Sequence, residues 1–290
     1  MGCGAMAEAK PSIIVTGASS QIGRFALPRL AAQGFAVHAL SRKPPAIAAG
    51  PGFLWHQADI AAGPLPAVNA DALVHLAHLA LLPPLIPQLP HLRRVVAFGS
   101  TSVFSKQDSP DPREQAVAAQ LAEAERAVAS ACEARGIAWT MLRPTLVYGL
   151  GLDKNVETIT RFIRRFGFFP VVGGGRGLRQ PVHADDLASA CIAALDCPAS
   201  FNRAYNLSGG ETLTYRQMVE RIFQALGKPP RILPIPLPLF QALLQAAAWL
   251  PRYRYLTPEM ASRMNQDLCF GHAEAVRDFG YAPRGFEPYA

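Results

Sequence analysis

Residues 12–32 constrain the fold more than any other part of this 290-residue chain. Ser12-Ile13-Ile14-Val15 is a short, apolar, mostly β-branched run, the pattern of a strand buried on both faces. It leads into Thr16-Gly17-Ala18-Ser19-Ser20-Gln21-Ile22-Gly23 and then into a helix predicted over about Gln21–Ala32. Gly17 suits a sharp reversal where a Cβ would clash. Gly23 falls in the first turns of the helix, where a missing side chain lets helix and strand pack closely. The helix N-terminus offers free N–H groups and a positive dipole end, which together receive a pyrophosphate. Ser19 and Ser20 add hydroxyl donors. A strand, this turn and a helix in that order form the context that a dinucleotide site requires. Gly17, Ser19, Ser20, Gln21, Ile22 and Gly23 are therefore its expected contacts.

The rest of the first half repeats the rhythm. Strands are expected near 12–16, 36–40, 53–57, 72–76, 94–99 and 137–142, with helices between them, the longest about Pro112–Ala134. Such alternation implies an α/β fold: a doubly wound parallel sheet of Rossmann type with helices on both faces. After Gly149 the rhythm changes. Gly- and Pro-rich loops (Gly173–Gly177, Pro229–Pro238) separate helices expected near 155–165, 184–195, 214–226, 237–250 and 257–265. The organisation read from this is a leader over 1–10, a dinucleotide-binding core over 11–150, and a small substrate lobe built mainly from 151–290, with some segments returning to the core.

Half of the residues are hydrophobic, yet no run of 18 or more apolar residues occurs, and Ile232–Leu250 holds three prolines. A membrane span is not expected. Met1–Lys10 lacks the basic-then-apolar order of a signal peptide. Met6 stands where N-myristoylation wants Ser or Thr. Five cysteines with no C-x-x-C argue against a disulfide framework or structural zinc, so reduced thiols, a cytoplasmic setting and no metal are expected.

At this point the chain resembles the extended and atypical short-chain dehydrogenase/reductases, the NAD(P)-dependent epimerase/dehydratase family. The family's turn reads T-G-x-x-G-x-x-G, with Ser20 here at the middle glycine. Asp59-Ile60 looks like the pair that holds adenine. His75-Leu76-Ala77 resembles the family's H-L-A, which makes Leu76 and Ala77 cofactor contacts. Ser100-Thr101-Ser102-Val103-Phe104 resembles S-S-x-x-V-Y-G. Arg143-Pro144-Thr145-Leu146-Val147-Tyr148-Gly149 is similar to R-P-x-x-V-Y-G, which puts Pro144 and Thr145 at the cofactor. Arg179–Asp186 is similar to R-x-x-V-H-V-D-D. The resemblance covers about residues 11 to 285 and implies a Rossmann dinucleotide-binding oxidoreductase.

An NAD site usually carries an acid about 20 residues beyond the glycines. Here the second strand ends in Ser41-Arg42-Lys43. Ser41 can bond a 2′-phosphate and Arg42 can pair with it through a planar fork. NADP is the expected cofactor, with NAD as the other reading.

The resemblance also implies a catalytic Ser or Thr, a Tyr and a Lys. Ser100 matches the first. No tyrosine precedes Tyr148, and the best alignment of the long helix puts Ala116 and Gln120 where Tyr and Lys belong. Thr101 and Ser102 stand where dehydratases carry Asp and Glu, so dehydration is disfavoured and both become substrate contacts. Three groups could replace the missing base: Lys106, which a solvated loop would also explain, Tyr148, which packing would explain, and His183. Asp185 and Asp186 are expected to start a helix by capping its N–H groups.

The substrate expectation is an anionic small molecule, a sugar nucleotide or a related carbonyl or hydroxyl compound. Arg179 aligns with a diphosphate-binding arginine, and Asn155 lies near a family asparagine that does likewise. The family's later R-x-x-D element is not apparent; Pro251-Arg252-Tyr253-Arg254-Tyr255-Leu256 comes in its place. The net charge of +7 suits an anionic ligand or a membrane surface, with no nucleic-acid motif beside it. In Arg161–Phe169, basic and aromatic residues alternate. A lobe helix with Phe162, Ile163 and Phe166 buried and its arginines outward is the expectation, with an interfacial patch as the other reading. Peripheral membrane contact and a homodimer stay open. The function expected is an NADP-dependent oxidoreductase or epimerase-like enzyme without Tyr-x-x-x-Lys. The alternative is a non-catalytic dinucleotide-binding sensor or assembly factor.

Overall fold

The apolar run at the start forms a strand, and its successors in the first half do the same. The computed structural model describes residues 11–44, 52–240 and 263–288. In chain order the elements are β1 (Ser12–Thr16), α1 (Gln21–Ala32), β2 (Ala36–Ser41), β3 (Phe53–Gln57), β4 (Ala72–His75), β5 (Arg94–Phe98), α2 (Ser102–Ser105), α3 (Pro112–Glu133), β6 (Ala138–Pro144) and β7 (Val147–Tyr148). They continue with α4 (Val156–Phe166), β8 (Phe169–Val172), β9 (Leu178–Arg179), β10 (Val182–His183), α5 (Ala184–Leu195), β11 (Arg203–Leu207), β12 (Leu213–Thr214), α6 (Tyr215–Ala225), β13 (Ile232–Ile235) and α7 (Ala273–Phe279).

A seven-stranded sheet runs β11-β6-β5-β4-β1-β2-β3. From β6 to β3 every neighbouring pair is parallel. The order reverses beside β1, whose neighbours are β2 and β4. This is the crevice where open α/β sheets take ligands, at the carboxyl ends of the strands. Ile13, Ile14 and Val15 are all fully buried, as a central parallel strand demands. One face of the sheet packs Ile14, Leu40, Leu73, Val95 and Met141 against Ala124, Val128 and Cys132 of α3. Helices do not fall between every pair of strands as expected. β4 and β5 are joined by tight 3₁₀ turns at Leu79–Leu81 and Pro83–Gln88, because Pro83, Pro84 and Pro87 lack the N–H that an α-helix needs. Leu79, Leu82 and Ile86 of these turns still fill the core.

The chain divides into two compact units. The first comprises the residues up to Gly99 with Glu123–Leu142 and Ala188–Ala204; the second holds Ser100–Ala122, Arg143–Leu187 and the residues from Tyr205 onward. Arg94 locks the first unit. It is buried, and its guanidinium donates to the carbonyls of Val95, Ala194 and Leu195 and to the hydroxyls of Thr140 and Ser200. Burial lowers its pKa to about 10.

In the second unit, Val156, Ile159 and Ile163 of α4 meet Met218, Val219, Ile222 and Phe223 of α6, with Tyr148 and Phe286 in the same core. α6 opens on a capping box between Thr214 and Gln217, the spacing its sequence encodes. Small two-stranded pairings, β7 with β10, β9 with β12 and β8 with β13, complete it. No described helix is long and apolar enough to cross a membrane. The expected leader over 1–10, all but the first four residues of the helix over 237–250, most of that over 257–265 and the Pro251–Leu256 segment lie outside the described residues.

Candidate functional site

In the first unit the glycine turn is closed by its own backbone and by β4. Gly17 adopts φ +66°, and a Cβ there would stand 2.7 Å from the Leu76 carbonyl carbon and 2.8 Å from the Ala77 nitrogen. Leu76 N–H in turn donates to the Thr16 carbonyl at 3.0 Å. A Cβ on Gly23 would stand 2.2 Å from the Ala18 carbonyl oxygen, so the helix packs directly on the turn. Ser20 caps α1 with extended backbone, and its Oγ accepts from Gly23 N–H at 3.2 Å. The N–H groups of Gln21 and Ile22 open the helix ahead of any intrahelical acceptor. Gln21 Oε1 is buried there with no hydrogen-bond partner. A turn packed too closely for any side chain at Gly17 or Gly23, leading into a helix N-terminus free of acidic residues, fits a dinucleotide.

Ser41 ends β2 beside this turn. Its hydroxyl donates to Ser19 Oγ at 2.9 Å and accepts from Lys43 N–H. Arg42 is exposed next to it. Asp59 is exposed and accepts from Ala61 N–H, while Ile60 packs against the core. His75, at the end of β4, is a structural histidine. Its Nδ1 accepts from the Thr16 hydroxyl at 2.7 Å and its Nε2–H donates to the His78 carbonyl. Burial pushes its pKa down to about 4, so the ring stays neutral.

The second unit carries the other half of the expected residues. Ser100 Oγ accepts from Ser102 N–H at 3.1 Å, an arrangement that starts α2. Thr101 is buried, with its hydroxyl donating to the Pro144 carbonyl, and Thr145 donates its own to the Gln180 carbonyl. Ala116 and Gln120 are exposed one turn apart on α3. His183 is buried beside Gly149, where an added Cβ would lie 3.0 Å from its Nε2. Asp185 N–H donates to its Nδ1 at 3.1 Å, which places the neutral ring's proton on Nε2. Burial first, and then the Arg284 charge, lowers its pKa.

Two sequence expectations are corrected by these contacts, and a third is extended. Tyr148 is 2% exposed, its hydroxyl donates to the Gly285 carbonyl and accepts from Glu287 N–H, and burial raises its pKa, so it packs the core instead of serving as a base. Arg179 donates to the carbonyls of Leu178, Gln266 and Arg263, which occupies the guanidinium expected to reach a diphosphate. Asp185 and Asp186 do more than open α5: their carboxylates accept from the Arg284 side chain and tie the C-terminal segment down. Asn155 remains exposed ahead of α4, where Asp153 provides the cap by accepting from Asn155 and Glu157 N–H.

Lys106 pairs with Glu114 at 3.9 Å, and Arg263 holds the same carboxylate at 2.8 Å. Glu114 and Arg263 line a cavity of about 410 Å³, with Phe104, Asp108, Asp267 and Phe270 among its other walls. Arg263 and the Phe270 wall escaped sequence reasoning. They lie some 150 positions from Glu114, and the only local signal was the Arg263…Asp267 spacing, one residue longer than the family's R-x-x-D.

Comparison with known proteins follows the same line. Residues 85–208 match the family described as NAD dependent epimerase/dehydratase. An uncharacterized protein, y4nG, of Sinorhizobium fredii is 31% identical over 183 residues, covering 62% of this chain and 44% of that protein. The mitochondrial NADH dehydrogenase (ubiquinone) 1 alpha subcomplex subunit 9 of Arabidopsis thaliana is 32% identical over 105 residues, covering 36% of this chain and 26% of the subunit. The chain thus spans less than half the length of these relatives. The crystal structure of UDP-glucuronic acid 4-epimerase from Bacillus cereus in complex with NAD superposes with a TM-score of 0.71 at 16% identity, covering 94% of this chain and 91% of that one. That likeness shows the fold.

Proposed function

Because residues 85–208 match the NAD dependent epimerase/dehydratase family, we propose that the chain is a member of that family and an NADP-dependent oxidoreductase or epimerase-like enzyme. Its substrate on this reading is a carbonyl or hydroxyl compound of the sugar-nucleotide class, the class named by the Bacillus cereus epimerase. The observation that carries the reading is the turn at Gly17 and Gly23, shut to any side chain by Leu76 and Ala18 and capped by Ser20. Gln21 and Ile22 would bond the pyrophosphate, Ser41 and Arg42 the 2′-phosphate, and Asp59 and Ile60 the adenine. When bound, the dinucleotide supplies the hydride exchange.

The chain itself must orient the substrate and assist the proton transfer. Ser100 holds a hydroxyl at the carboxyl side of β5 and orients the substrate oxygen. With Ala116 and Gln120 at the usual places and the Tyr148 hydroxyl committed to backbone, His183 is the group we assign to the substrate oxygen: its lowered pKa keeps the ring neutral near pH 7, its Nε2–H donates a hydrogen bond to that oxygen, and solvent gives or takes the proton.

A second reading rests on Ala116 and Gln120: a chain that binds the dinucleotide without turning it over, as a sensor or assembly factor. The Arabidopsis relative is named as an NADH dehydrogenase (ubiquinone) alpha subcomplex subunit. Screening NADPH oxidation against ketones, aldehydes and sugar nucleotides separates the two. The enzyme reading expects turnover that falls roughly 100-fold in His183→Gln. Tight NADPH binding with no turnover on any substrate selects the second reading.

A further inference from the structure

The hydrogen bond that fixes the His183 tautomer depends on the charge of the ring. Asp185 N–H donates to Nδ1 at 3.1 Å, so that nitrogen must keep its lone pair. A protonated imidazole carries a hydrogen on both nitrogens. Donor would then face donor, and the bond would be lost. The ring is also closely packed. Tyr148 meets it edge-on with centroids 5.1 Å apart, and a Cβ added to Gly149 would stand 3.0 Å from Nε2.

What holds the turn at Asp185 comes from about 100 positions further along the chain. Asp185 and Asp186 stand in the first turn of α5, and Arg284 spans both carboxylates. Its Nη2 donates to Asp185 at 2.6 Å, its Nε to Asp186 at 2.8 Å, and its backbone N–H to the other Asp186 oxygen at 3.0 Å. Arg284 is itself held on both sides. Gly210 N–H donates to its carbonyl, and Phe286, 1% exposed, packs edge-on against the Tyr148 ring. Among the described residues, the charged groups facing His183 are Asp185 and Asp186 from α5 and Arg284 from the C-terminal segment, with the Tyr148 phenol from β7 the other titratable neighbour. The two carboxylates alone favour an imidazolium. Burial, and then the Arg284 charge, outweighs them, so the pKa of His183 lies below its ordinary value.

We propose that Arg284 is a positioning residue for His183, acting through the carboxylates of Asp185 and Asp186 on the turn whose N–H holds Nδ1. This rests on the assignment of His183 to the substrate oxygen. The fork keeps the Asp185 N–H in place, and its cation keeps the ring in the neutral form that accepts from it. Nε2 then carries the hydrogen that the assignment requires.

The test is a nitrogen-15 NMR titration of the histidine side chains in the full chain, with the His183 signals identified by their loss in His183→Gln. In the wild type the ring should be neutral at pH 7 with its hydrogen on Nε2. Arg284→Gln removes the cation and leaves the carboxylates, so the midpoint of His183 should move up. Arg284→Lys keeps the charge and should titrate as the wild type does. Asp186→Asn leaves Asp185 to hold the guanidinium and should move the midpoint down. A merely structural clamp behaves differently: loosening the turn would expose the ring and raise the midpoint in all three variants alike. Should Arg284→Gln unfold, the midpoints of Arg284→Lys and Asp186→Asn decide. An unmoved midpoint in folded Arg284→Gln, an upward shift in Arg284→Lys or Asp186→Asn, or a wild-type ring with its hydrogen on Nδ1 each overturns the proposal. The titration needs no substrate, so it reads the coupling whether or not turnover is found; absence of turnover counts against the assignment of His183 to a substrate instead.

Discussion

Three glycine substitutions separate steric exclusion from backbone strain. Gly34 has φ +89° and nothing within 4 Å of an added Cβ, so Gly34→Ala meets strain alone. That should cost about 1–2 kcal/mol, the usual penalty for a left-handed L-residue. Gly23 has no such φ, but its Cβ would overlap the Ala18 carbonyl oxygen at 2.2 Å, against backbone that cannot rotate away. Overpacking of this kind costs about 1–3 kcal/mol and opens the turn. Gly17→Ala meets both, with φ +66° and the β4 end at 2.7 Å, and should cost about 2–5 kcal/mol. For a chain of this size each kcal/mol lowers Tm by roughly 2–4 °C. Gly34→Ala should therefore melt a few degrees early and bind NADPH as the wild type does. Gly17→Ala and Gly23→Ala should lose NADPH binding in calorimetry even at temperatures where circular dichroism shows them folded. Full NADPH affinity in folded Gly23→Ala would refute the idea that close contact between α1 and the turn shapes the phosphate site.

Other consequences can be read from single residues. His75 stays neutral in the native state down to about pH 4, whereas an unfolded histidine protonates near 6.5. Its stabilising contribution is full above 6.5 and is lost as pH falls toward 4, about 3 kcal/mol in all; denaturant titrations of wild type and His75→Gln should differ by that slope, and equal slopes would remove His75 as the cause. Arg94→Met should cost about 3 kcal/mol, because it strands the Leu195 carbonyl and its neighbours without a donor; an unchanged urea midpoint would contradict this. Tyr148→Phe should cost about 1 kcal/mol and leave turnover within a fewfold of wild type, whereas collapse of turnover with stability intact would restore Tyr148 to the chemistry.

The elements with a clean period were legible in sequence. β1, α1 and α5 fall where the pattern puts them, and the glycine turn lies between β1 and α1 as its spacing requires. What escaped was set by contacts between distant residues. Nothing local at Arg179 reveals that the Gln266 and Arg263 carbonyls absorb its donors. The Tyr148 hydroxyl is likewise claimed by backbone at Gly285 and Glu287, some 140 positions on. Phe166 shows the opposite error: its helical period fits burial, but it stays exposed because the core is already filled by Ile163 and α6. Between β4 and β5 the α/β rhythm predicted a helix, and three prolines made 3₁₀ turns instead.

The central claim is a dinucleotide site that prefers NADP, and calorimetric titration of NADP and NAD into the wild type and Arg42→Ala tests it most directly. The account predicts that NADP binds the wild type more tightly than NAD. It also predicts that Arg42→Ala weakens NADP roughly 10- to 150-fold, from about 1.5–3 kcal/mol for a charge-assisted bond, and leaves NAD unchanged. Failure of either dinucleotide to bind the folded wild type would contradict the site itself, and equal losses for both in Arg42→Ala would contradict the assignment of the 2′-phosphate to Arg42.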